Sequence, residues 1–95
     1  MSEFSFVLPE DFADYEREVE VKGYFFGAIM IVAGKRYSLN FFDPARLSLQ
    51  LNELEEGGMF FEPNLVVVKS VTGSHMEEAA RQLAESDQVK FLVPD

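Results

Sequence analysis

Carboxylates are the side chains of this chain best placed to do chemistry, and they fall into two groups. Glu10, Asp11, Asp14, Glu16, Glu18 and Glu20 put six acids into eleven residues, with Arg17 the one base among them. Such density can hold a divalent cation or meet a basic partner. It is not a calcium loop, which needs oxygen ligands at alternating positions, a central glycine and a terminal glutamate. A charged edge that stays solvated and resists aggregation accounts for the same residues. Glu53, Glu55, Glu56 and Glu62 form the second group. Glu55 and Glu56 close a predicted helix, where the dipole disfavours negative charge by a few tenths of a kcal/mol each. A local rule broken in this way is one mark of a binding surface. These ten acids are the predicted partner-binding residues.

Other reactive chemistry is scarce. The chain has no cysteine and one histidine, so thiol nucleophiles, cysteine–zinc sites and histidine clusters are all excluded. Thr72-Gly73-Ser74 precedes a predicted helix, where backbone N–H groups can hold an anion, but the motif lacks a Walker lysine. Ser74 and His75 are sequence neighbours on that helix and point in different directions, so they make no nucleophile–base pair. No one pair of carboxylates is singled out for glycoside chemistry. No catalytic residue, cofactor or metal is assigned, and an enzyme is not the expected reading.

The aromatic residues carry a second message. Of ten phenylalanines, six stand as the doublets Phe25-Phe26, Phe41-Phe42 and Phe60-Phe61. Neighbours in a strand point to opposite faces, so a doublet puts one ring on each side of a sheet. Helices cover one face; the other needs the N-terminal segment, a ligand or a second subunit. Phe25, Ile29, Ile31 and Phe42 are the predicted oligomer interface of a homodimer.

The elements that position these residues follow from periodicity. Phe4 to Leu8 alternates as a short strand ended by Pro9, and 10–14 reads as an irregular or single-turn connection. Glu18 to Lys22 alternates as a strand, with a bend at Gly23. Tyr24 to Val32 is a central apolar strand. Gly34-Lys35 suits a type II′ hairpin turn that sets Val32 opposite Tyr37, Met30 opposite Leu39 and Ala28 opposite Phe41. Asp43 caps and Pro44 begins a helix over 44–56, where Ala, Arg, Leu, Gln and Glu outweigh the strand-like alternation of Leu47, Leu49 and Leu51. Leu47, Leu51 and Leu54 form its buried stripe, which leaves Leu49 unexplained. Leu65 to Val68 is a buried strand, Ser74-x-x-Glu77 a capping box opening a helix, and Val89 to Val93 a last strand. The predicted fold is α+β, a two-layer sandwich with a mixed, mostly antiparallel sheet of five to six strands and two helices on one face.

Composition bounds what such a fold can do. Ninety-five residues that are 47% hydrophobic make one domain, spanning 1–95. A net charge of −9 excludes a duplex-binding surface, since phosphate contacts need lysine and arginine. No apolar run approaches the ~20 residues of a membrane span, and Met1-Ser2-Glu3-Phe4 shows no export signal. The expectation is a soluble cytoplasmic interaction module, of the inhibitor or immunity type, masking a basic protein partner. The alternative is a small-molecule-binding domain or minor enzyme with an aromatic pocket.

Overall fold

The computed structural model describes residues 3–95, so Met1 and Ser2, read above with the start of the chain, lie outside the described residues. Strands β1 (Phe4–Val7), β2 (Tyr24–Val32), β3 (Lys35–Phe42) and β4 (Leu65–Val67) form one sheet in the order β1-β2-β3-β4. The first two pairings are antiparallel and β3–β4 is parallel. Helices α1 (Phe12–Lys22), α2 (Pro44–Asn52) and α3 (Gly73–Ala84) and a 3-10 turn (Asp87–Phe91) complete the chain. The fold is α+β with a four-stranded mixed sheet, where five to six strands were expected.

The two missing strands have separate causes. Glu18 to Lys22 is the last part of α1, because Phe12, Tyr15 and Val19 recur at helical spacing and carry the inward stripe. Phe12 and Val19 are buried, whereas Val21, which alternation would bury alongside Val19, is 76% exposed. Val89 to Val93 enters the 3-10 turn and then runs extended to Asp95, held to β3 by other means. Asn64, in the left-handed region at φ 54°, donates from Nδ2 to Ser38 O and Val93 O, and its Oδ1 accepts from Val93 N–H. The Asp95 N–H then reaches Arg36 O at 2.8 Å. One asparagine side chain thus replaces a rung of sheet.

The hairpin keeps its face and shifts its register. Its turn is Ala33-Gly34, both at positive φ (51° and 79°), the backbone of a type I′ turn. Val32 therefore faces Lys35, Met30 faces Tyr37 and Ala28 faces Leu39. A two-residue displacement leaves every side chain on its original face, and all six apolar residues are buried. They form the core with Phe12, Val19, Val71, Met76 and Ala80, so α1 and α3 cover this face.

Helix α2 does not join them. Its Arg46 guanidinium lies 4.8 Å from the ring centre of Tyr24, which pairs with Phe42 on the opposite face from Phe41. No residue of α2 is buried, and of the expected Leu47–Leu51–Leu54 stripe only Leu47 is half-buried, Leu51 and Leu54 being exposed along with Leu49. Its placement with α3 on one face of a sandwich is corrected accordingly. The helix is fixed at its start instead, where Asp43 Oδ1 accepts from Arg46 N–H at 2.7 Å and Pro44 needs no donor. Gly23, at φ 81°, ends α1 and accepts from the Asp43 N–H at 2.8 Å, joining the two helix ends.

Candidate functional site

All six N-terminal acids stand on or just before α1. Glu10, Asp11, Asp14, Glu18 and Glu20 are exposed, because the inward stripe of Phe12, Tyr15 and Val19 turns the rest of the helix outward. Arg17 lies exposed among them. Among the described residues the ion pairs are Arg36–Asp95 and Arg81–Glu77, so none of the ten predicted acids is paired with a base. Helix α1 is kinked at Tyr15 (φ −130°, ψ 15°), and beyond the kink like charges four apart, as at Glu16 and Glu20, cost a helix roughly 0.2–0.5 kcal/mol per pair. Asp11 also lies beside Tyr15, whose phenol is raised above its ordinary value by burial first and by the Asp11 carboxylate second.

Glu16 is the exception, and it answers the question raised by Thr72-Gly73-Ser74. Its Oε2 accepts from the Gly73 N–H at 2.7 Å, so the anion at the N-terminus of α3 is a carboxylate of the chain itself. A Cβ added at Gly73 would lie 3.3 Å from that oxygen and 3.5 Å from the Phe12 ring, which shows how closely the two helices meet there. Glu16 is therefore a structural acid, half-buried and already partnered. The cap of α3 is Thr72, whose Oγ1 accepts from His75 N–H at 3.2 Å, and not Ser74 as the capping-box reading had it. His75 Nδ1 sits 2.8 Å from Ser70 Oγ and 3.0 Å from Ser70 O, a local contact that ties the ring to the preceding turn.

The second acidic group is placed differently from expectation. Helix α2 ends at Asn52 with Glu53 at its C-cap, so Glu55 and Glu56 lie beyond the helix, in a turn closed by Gly58 N–H to Glu55 O. The dipole penalty invoked for them does not apply. Glu53, Glu55 and Glu56 are exposed, and Glu62 is half-buried along an open cleft beside β4. No hydrogen bond or ion pair among the described residues joins this group to the acids of α1.

The aromatic residues are sorted by a bulge. Phe25 faces Phe41 and Ala28 faces Leu39, so β2 carries one extra residue between them. That reverses the alternation and turns Phe25 into the core, 5.1 Å edge-on to Phe12, rather than outward with Ile29 and Ile31. Gly27 permits the turn, since a Cβ there would stand 2.9 Å from the Phe25 ring. Phe42 does lie on the other face, but Tyr24, Phe26 and Phe60 pack around it and leave it 2% exposed. Ile29 and Ile31 stay half-buried on the same face. Of the four predicted interface residues, Phe25 and Phe42 thus already have partners within the chain.

Sequence reasoning missed two surface features. A notch of ≈ 230 Å³ opens between α1 and β2, walled by Tyr15, Tyr24, Phe25 and Phe26 with Glu18 on its lining. A cleft of ≈ 620 Å³ runs along the outer side of β4, and its polar lining is confined to Glu62, Asn64 and Gln88. The bulge at Phe26-Gly27 was the available signal for the first. The second depends on where the chain ends of α3 and β4 meet, which no local pattern encodes. Among the described residues no three acidic or histidine side chains converge as metal ligands, and no helix is long and apolar enough to cross a membrane. No family model, curated protein or solved structure matches the chain.

Proposed function

We propose that this protein is a binding module whose acidic α1 surface captures and masks a basic protein partner, in the manner of an inhibitor or immunity protein. The observation that carries the reading is the unpaired state of Glu10, Asp11, Asp14, Glu18 and Glu20 on a helix pinned to the core by Phe12 and Val19. An array of like charges without basic partners raises the rate of encounter with an opposite surface and disfavours wrong partners. The aromatic notch, lined by Glu18 and Lys22 as well as its rings, supplies an adjacent recess for an anchoring side chain, the arrangement that concentrates binding energy in an interface. The small-molecule alternative draws less support. The β4 cleft is open, and both polar ends of its Asn64 are spent on Ser38 and Val93; an orienting set of polar groups is what such sites need.

The test is a triple reversal, Asp14→Lys, Glu18→Lys and Glu20→Lys, with Glu16 left in place because it accepts from the Gly73 N–H at the start of α3. The immobilised protein is used to capture a basic partner, which is then purified and measured against both forms. The reversed protein should keep its fold and lose capture, and the association rate of the native pair should fall steeply with added salt. Equal capture by the reversed protein at physiological salt would discard the reading.

A further inference from the structure

The outer side of β4 is an open sheet edge set in an apolar cleft. Asn64 O and Val68 N–H bond to Asn40 and Phe42 of β3, so alternate residues 64, 66 and 68 turn their backbone groups inward. Leu65 and Val67 turn theirs outward. Neither makes a further hydrogen bond to any described residue. Natural edges are usually blunted by shortness, lysine, proline or a covering element; this edge is three residues long between Pro63 and Lys69, but Leu-Val-Val itself carries no charge or proline. Around it Phe61 is 72% exposed and Phe91 76% exposed, while Leu83 and Leu92 line the cleft from the core side. Singly exposed apolar residues are ordinary, but a contiguous set about an open edge marks a binding surface.

We propose that this edge takes up an extended segment of another protein as a fifth strand, with apolar residues at alternate positions and a lysine or arginine beside Glu62. Strand addition fits the backbone, because the outward N–H and C=O groups of Leu65 and Val67 present donor and acceptor at the spacing of a β-ladder. Alternation follows from the pleat: one set of incoming side chains meets Leu83 and Leu92, the other meets Val67 and Phe61. Charge selects the sign of the polar residue, since Glu62 is the one charged side chain on the cleft lining. The same charge disfavours a second copy of this chain, which would bring a second Glu62 and a further −9 to the contact. This surface is distinct from the acids of α1 and does not depend on them.

The probe is a synthetic end-blocked peptide, Thr-Val-Lys-Val-Thr-Val, titrated into the protein while backbone amide signals are followed by NMR. Saturable shifts and slowed hydrogen exchange should appear at Leu65 and Val67. Methylating alternate peptide nitrogens removes the ladder and should weaken binding about tenfold, and replacing the peptide lysine by glutamate should weaken it as well. On the protein, Val67→Pro removes an outward N–H without touching the bonds to β3 and should block binding. Phe91→Ser alters an exposed ring and should weaken binding even if the proline variant fails to fold. The α1 triple reversal should leave the peptide titration unchanged at physiological salt, so the two surfaces succeed or fail separately. Equal binding by the methylated peptide, shifts confined to residues away from β4, or a sedimenting dimer with Leu65 and Val67 already protected would each overturn the proposal.

Discussion

The two faces of the sheet are built to different standards. Beneath α1 and α3, Ala28, Met30, Leu39, Phe41, Val71, Met76 and Ala80 are wholly excluded from solvent. Across the sheet, the rings of Tyr24, Phe26 and Phe60 pack around Phe42, and α2 beside it has no buried residue. The outer face is less apolar to begin with, since Ser5, Arg36, Ser38 and Asn40 stand among Ile29, Ile31 and Phe42. The two faces also differ in how each helix is held. α1 and α3 meet the sheet along an apolar stripe and are joined to each other through Glu16 and Gly73, whereas α2 is fastened mainly at its first turn. Burial is therefore concentrated on one face of the sheet.

Leu39→Ala puts the greatest strain on that contrast. Removing a fully buried side chain from the strong face should cost about 2–5 kcal/mol, read as a lower urea midpoint. A loss below about 1 kcal/mol would mean that the face can collapse around the gap and is not the seat of stability. Gly23→Ala tests the joint between the two regions. It forces a left-handed residue, and its Cβ would stand 2.7 Å from the Asp43 carboxylate that caps α2. Backbone strain of roughly 1–2 kcal/mol, with part of the cap lost as well, should give about 2 kcal/mol. A neutral result would show that the end of α1 and the start of α2 move independently. Leu51→Ala should do least. The side chain is 49% exposed on a helix with no buried residue, so the midpoint should stay within about 0.5 kcal/mol of the parent. A larger loss would place α2 in the stable part of the fold and erase the distinction.

What the sequence disclosed about this molecule tracks the range of the interaction involved. The β2–β3 hairpin was legible because alternation over two strands and one turn is local information, and parity preserved its face despite the two-residue shift. The helical reading of 44–56 held in kind, since propensity summed over the window and the Asp43-Pro44 start are both local. It failed in packing, because whether Leu51 meets a sheet depends on where β3 delivers the chain. Glu18 to Lys22 misled because five alternating residues fit a strand, whereas the stripe of Phe12, Tyr15 and Val19 appears only over a longer window. Phe25 changed sides through one inserted residue, whose signal was Gly27 following two aromatic residues. The candidate sites were legible as charge on α1, but not as an exposed edge. Glu16 could not be separated from its neighbours in the sequence, because its partner lies at Gly73.

The clamp made by Asn64 also decides how the molecule bears a load. Glu3 O accepts from the Ala33 N–H at 3.2 Å, and the Asp95 N–H bonds to Arg36 O, so both ends of the described chain lie beside the tip of the hairpin. With β1, β2, β3 and the terminal segment side by side, those ends stand about three strand spacings apart, roughly 14 Å. A pull applied through them acts across the strands rather than along them. The hydrogen bonds are then opened from the tip one rung at a time, as a zip is drawn, and never sheared together.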